Sequence, residues 1–191
     1  MLGSYIHMNQ TTKIMKKLIL FSFIFSLSLA KAQSPEEAKV VQMINEYRAS
    51  KNLGPLDINQ GLNKAAAYQV KYEVLVDSVT HNQYQNLPNF EEISNAGDRI
   101  RKFAGIEPPL GGTEISMGIF IDKGYYDLYI TRPFYLEREK YILESYQESK
   151  EHDKALLNPL AKKIGISIYS KEIINGKDVK FRLFCVITFG E

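Results

Sequence analysis

Apolar residues recur at helical spacing through the first two thirds of the chain and give way to β-rich runs at its end. The segment "SPEEAKVVQMINEYRASKNLGP" predicts a helix with Ser34 as N-cap, Pro35 at its first position and Glu37 completing a capping box. Val40, Val41, Ile44 and Tyr47 give the apolar stripe, and Gly54-Pro55 closes the element. A second helix is predicted over "DINQGLNKAAAYQVKYEVLVDS", with Leu62, Ala65, Ala66, Gln69 and Val70 on one face. A shorter third helix is expected in "NFEEISNAGDRIRKFAGI", with Ile93, Ile100 and Phe103 inward. "PPLGGTEISMGIFI" turns and runs into a strand, "YYDLYI" reads as a further strand or an ordered loop, and "PFYLEREKYILESYQES" resumes a helical pattern. "KKIGISIYS" and "VKFRLFCVITF" flank Asn175-Gly176, a strong hairpin signal. Helices followed by a closing hairpin predict an α+β fold, with helices packed on a small antiparallel sheet.

The first 32 residues follow a different logic. From Met15, "MKKLILFSFIFSLSLAKAQS" sets two lysines before an apolar run from Leu18 to Leu29, ending in Ala30-Lys31-Ala32. That is the order of a secretory signal peptide with a small-x-small cleavage site. The run is about a dozen residues, shorter than the roughly 20 a membrane span needs. The expectation is cleavage near Gln33, leaving one domain over residues 33–191 that is secreted or periplasmic and has no transmembrane anchor. The leader carries Lys13, Lys16, Lys17 and Lys31 and no acid, so the remainder holds 20 basic and 22 acidic residues, and the net charge moves from +2 to −2. A mature chain of that charge gives no reason to expect a nucleic-acid partner. Cys185 is the sole cysteine and lies in the apolar run "LFCVITF", where a buried inert thiol is expected and no intrachain disulfide can form.

Two histidines, His81 and His152, follow the leader. Neither belongs to a spacing that puts two ligands on one helix face, so on spacing alone both read as solvated loop residues. The order of the surrounding features changes that reading. "MINEYRASKNLGPLDINQGLNKAAAYQV", with Asn45-x-Tyr47-Arg48, resembles the opening helix, loop and Ala-rich second helix of the CAP superfamily, also called SCP-like. Thr80-His81 stands where that family has Ser-His, and "DRIRKFAGI" is similar to a helix of its bacterial branch. "GGTEIS" stands at the Gly-Glu-Asn-Ile segment, and "ESYQESKEH" is similar to Glu-x-Trp-x-x-Ser-x-x-His with Tyr146 in place of tryptophan. "ALLNPLAKKIGISI" and "FRLFCVITFG" resemble the closing strands.

The resemblance implies an α–β–α sandwich and a surface cleft formed by His81, Glu114, Glu144 and His152. Two imidazoles could hold a divalent metal, with zinc suited to the donors and carboxylates orienting the rings. In a hydrolase the general base would be Glu114 or Glu144. A glycosidase pair would not need the histidines, and a purely structural role for the four residues is a further alternative. The resemblance implies an extracellular or cell-envelope ligand, such as a lipid, glycan or peptide. It also leaves a Tyr-rich segment near 117–137 as extra chain that could roof the cleft. Ser149 lacks a nucleophile elbow and reads as a helix-ending residue.

Overall fold

The computed structural model describes residues 33–83, 87–88, 90–91, 93–110, 113–121, 137–175 and 178–191. The expected signal peptide, most of the Tyr-rich segment and the Gly176-Lys177 step of the hairpin turn lie outside the described residues.

Helix α1 spans Pro35–Ser50 and starts as its capping signal predicts. The Glu37 amide donates to Ser34 Oγ at 3.2 Å, and the Ser34 amide donates to Glu37 Oε2 at 2.8 Å. Its buried face is Val40, Val41, Ile44 and Arg48, so the last position belongs to Arg48 and not to the expected Tyr47. Asn45 clamps the loop that follows: its carboxamide bonds both the carbonyl and the amide of Leu56, at 3.1 and 2.8 Å. Strand β1, Asp57–Ile58, is a two-residue edge piece, and Asn59 then caps helix α2, Gln60–Val76. Helix α3 is Ala96–Ala104, strand β2 is Glu114–Ile121, and helices α4 and α5 are Arg138–Glu148 and Lys150–Leu156. Ser149 separates the last two in an extended conformation, as its helix-ending reading predicts, although His152 then lies inside a new helix. The predicted hairpin closes the chain as β3, Lys163–Asn175, and β4, Asp178–Gly190.

The four strands run in the order β1-β3-β4-β2. β3 pairs antiparallel with β4 from Lys163↔Gly190 to Asn175↔Asp178, β4 pairs antiparallel with β2, and β1 lies parallel to β3. Side chains alternate across β4 as the pleat requires. Phe184 and Val186 pack with Ala66 and Val70 of α2. Leu183, Cys185, Ile187 and Phe189 face the opposite way, into the larger core with Val40 and Ile44 of α1, Ile142 and Tyr146 of α4, and Leu156 of α5. β4 is therefore covered on both faces, which accounts for its nearly unbroken apolar sequence. Burial at its centre pushes the Cys185 thiol up to about 12, matching the expected inert cysteine. The fold is α+β, a mixed sheet between two helical layers.

Beyond β1 the outer edge of β3 is occupied by side chains. The Ile166 amide donates to Asn63 Oδ1 and the Ile168 amide to Glu37 Oε1, each at 3.0 Å. Such contacts satisfy edge amides that would otherwise invite another strand. α2 also lies against β3 nearly backbone to backbone: a Cβ at Gly165 would fall 2.1 Å from the Leu62 carbonyl carbon. The Gly165→Ala variant is therefore expected to lose about 2 kcal/mol of stability, the usual cost of overpacking. Urea unfolding measures this, and an unchanged midpoint would contradict the close approach.

Candidate functional site

The site gathers at the edge strand β2. Glu114 is the first residue of that strand and is held in register opposite Thr188 of β4. Its side chain is only 1% exposed, so the carboxylate needs a partner, and α3 supplies one. Asn95 caps α3, accepting from the Asp98 amide at 3.0 Å, and this start turns Arg99 inward. The Arg99 side chain is fully buried, and Nη2 donates to Glu114 Oε1 at 2.8 Å and Oε2 at 2.9 Å. The same nitrogen donates to the His81 carbonyl at 2.9 Å, and Nη1 donates to the Ile93 carbonyl at 3.0 Å. One guanidinium thus fixes both the carboxylate and the backbone of the residue beside it.

His81 lies past the end of α2, where Asp77 adopts a left-handed conformation with φ 49° and redirects the chain. Its Nδ1 sits 3.2 Å from Glu114 Oε1, with the side chain about half exposed. This hydrogen bond to Glu114 raises the His81 pKa above the ordinary imidazole value.

His152 arrives from the opposite helical layer. Three contacts set α5 in place: Tyr47 Oη donates to Asp153 Oδ1 at 2.8 Å, and Arg48 Nη1 donates to the carbonyls of Leu156 at 2.7 Å and Asn158 at 3.1 Å. The Asn-x-Tyr-Arg stretch of α1 therefore positions the helix that carries His152. Buried Tyr146 meets the His152 ring edge-on with centroids 5.4 Å apart, and its hydroxyl donates to the Cys185 carbonyl at 2.6 Å. Partial burial lowers the His152 pKa, and the charge of His81 lowers it further.

Glu144 stands apart. It is more than half exposed on α4 and pairs with Lys140 at 4.0 Å, and it has no bond to His81, Glu114 or His152 among the described residues. The structure thus joins His81 directly to Glu114 and sets His152 against Tyr146, but gives Glu144 no contact with these residues among the described ones. Among the described residues, no group of three or more His, Cys, Asp or Glu side chains is placed to hold a metal ion.

Several contributors escaped the sequence reading, and Gln69 figures there only as part of the inward face of the second helix. Arg99, Gln69, Glu73, Gln83 and Ser116 are all buried beneath His81 and Glu114. Glu73 Oε1 accepts from Ser116 Oγ at 2.7 Å, the Thr80 amide at 3.2 Å and Gln69 Nε2 at 3.4 Å. Gln69 also donates to the Thr80 carbonyl, and Gln83 Nε2 donates to Gln69 Oε1 at 3.1 Å. The Ile93 amide donates to Gln83 Oε1 at 2.7 Å, closing the chain of bonds near Arg99. A signal was present in the sequence: Gln69 and Glu73 fall one turn apart on the apolar face of α2, where polar side chains need buried partners.

Burial raises the Glu73 carboxyl from 4.5 to about 7, against the lowering effect of its three donors. A raised folded pKa favours folding while the group is protonated, and that contribution is lost as pH rises from 4.5 through about 7. Relative to Glu73→Gln, wild type is expected to lose about 3 kcal/mol across that window. Urea unfolding of the two proteins at several pH values checks this, and parallel pH profiles would contradict it.

A family profile described as the Cysteine-rich secretory protein family, CAP, matches residues 41–187. Among solved structures, an outer surface protein from Borrelia burgdorferi is similar at 17% identity and a TM-score of 0.49, covering 82% of this chain and 92% of that one. An extracellular protein containing an SCP domain from Bacillus anthracis aligns at 15% identity and 0.45, covering 79% of this chain and 43% of that one. A cysteine-rich secretory protein from Staphylococcus aureus aligns at 13% identity and 0.44, covering 84% and 40%. No curated protein matches the chain significantly. No helix among the described residues is long and apolar enough to cross a membrane. With the profile spanning most of its length, the chain belongs to the CAP, or cysteine-rich secretory protein, family.

Proposed function

We propose that this is an exported CAP-domain binding protein whose cleft holds a divalent metal, zinc by preference, on His81 and His152 and engages an extracellular or cell-envelope ligand there. The observation that carries the reading is the His81 Nδ1–Glu114 contact at 3.2 Å. A carboxylate on one ring nitrogen fixes the ring and leaves the other nitrogen, Nε2, to face a ligand. His152 adds a second imidazole, whose pKa burial lowers, toward the neutral form a metal requires.

The donor set fits a lightly held ion. Glu114 is engaged by Arg99 through both oxygens, so it serves as the outer carboxylate and not as a ligand. Two imidazoles leave the remaining positions of a tetrahedral ion to water or to a bound molecule, and the bound ion would supply Lewis acidity. The chain's own part is to orient His81 through Glu114, hold His152 beside Tyr146 and keep Arg99 between Glu114 and the His81 backbone.

This arrangement supports binding better than hydrolysis. A general base needs a carboxylate free to take a proton. Glu114 is tied to a buried guanidinium, and Glu144 lies on an exposed helix face beside Lys140. Should Glu144 contribute, it would do so from the rim of the cleft, toward a bound molecule.

Zinc titration calorimetry on residues 33–191 tests the reading. Wild type is expected to bind one equivalent, and His81→Ala/His152→Ala to lose at least about tenfold in affinity. The affinity should also fall as pH drops and His81 protonates, because a ligating imidazole must be neutral. Equal affinity in wild type and the double variant would sink the metal site.

A further inference from the structure

Glu73 is the one carboxylate beneath the cleft that neither the sequence pattern nor the proposed metal site employs. It is fully buried, one turn before the left-handed Asp77 that ends α2. Its contacts are distributed in a particular way. Oε1 takes the Ser116 hydroxyl at 2.7 Å, and Ser116 lies two residues from Glu114 on β2. Oε1 also takes the Thr80 amide at 3.2 Å, and Thr80 immediately precedes His81. A single oxygen therefore spans the gap between the segment that carries His81 and the strand that carries Glu114. The other oxygen, Oε2, is buried without a hydrogen-bond partner among the described residues.

A leucine or methionine would be the expected residue on this buried face of α2, which also carries Ala66 and Val70. A buried carboxyl is costly by comparison, and burial raises it to about 7. The carboxyl is paired with donors on two different segments, and those segments carry the two partners of the 3.2 Å His81–Glu114 contact. Arg99 makes a parallel tie from the far side, through the His81 carbonyl and Glu114. Arg99 fixes Glu114 and the His81 backbone, but it leaves the Thr80 amide and Ser116 to be joined by another group.

We propose that Glu73 is a positioning residue of the cleft, which sets His81 against Glu114 by bonding the Thr80 amide and the Ser116 hydroxyl through one buried oxygen. The inference rests on the reading of His81 and Glu114 as the core of the site, but it does not require that the site take a metal. Glu73 itself touches no ligand and acts only through the segments it joins.

The titration of His81, followed by NMR of its ring in metal-free protein, reports the His81–Glu114 contact directly. In wild type the midpoint is expected above that of an ordinary imidazole. Glu73→Gln keeps an acceptor oxygen for Thr80 and Ser116, and its midpoint should stay close to wild type. Glu73→Leu removes the acceptor, and its midpoint should fall toward the ordinary value. An unshifted midpoint in folded Glu73→Leu overturns the proposal. Equal falls in the Gln and Leu variants overturn it as well, since the effect would then be the field of Glu73 and not its placement of His81. Should Glu73→Leu fail to fold, Ser116→Ala decides: a lowered midpoint supports the tie, and an unchanged one refutes it. Because no metal is added, loss of zinc binding in the calorimetric experiment and failure of this proposal are separate results.

Discussion

The buried pairing of Arg99 with Glu114 is the constraint on which the site depends. Both side chains are essentially inaccessible to water, and a lone charge in that position would be expensive. Because the guanidinium also holds the His81 and Ile93 carbonyls, one group ties those two residues to β2. Removing either partner would leave the other as an uncompensated charge in the interior. The half-exposed His81 ring is a consequence: it rests on a carboxylate that the interior has already fixed.

The site is assembled across the sheet edge, which explains why its parts are far apart in sequence. Among the described residues β2 ends the strand order, and the partners of its first side chain, Arg99 and His81, lie 15 and 33 residues earlier in sequence on one helical side. α2 and α3 deliver His81 and Arg99 on one side, and α4 and α5 deliver Tyr146 and His152 on the other. The two imidazoles experience opposite surroundings. A carboxylate contact favours the charged form of His81, and desolvation favours the neutral form of His152.

Much of the fold was legible from local chemistry. The Ser34–Glu37 box, the Asn175-Gly176 hairpin and the two-sided apolar run around Cys185 each announce a short-range structure whose cause lies within a few residues. The candidate site was legible only in part. His81, Glu114 and His152 were proposed through the order of motifs, and the structure sets the first two in contact although no spacing rule joins them. Arg48 and Arg99 defied the pattern because a buried arginine is read from sequence as an exposed one until its carbonyl and carboxylate partners are known. Glu144 shows the reverse: matched by motif, it sits at an exposed helix position beside Lys140, where local charge spacing alone would have placed it.

A double-mutant cycle on Arg99 and Glu114 tests the dependence most directly, with Arg99→Met, Glu114→Met and the combined variant compared by urea unfolding. Each single change is expected to cost about 3–5 kcal/mol, and the combined variant to be more stable than the sum of the single losses implies, because it leaves no orphaned charge. Strictly additive losses would show that the two side chains do not depend on each other, and would contradict the account of the site built on them.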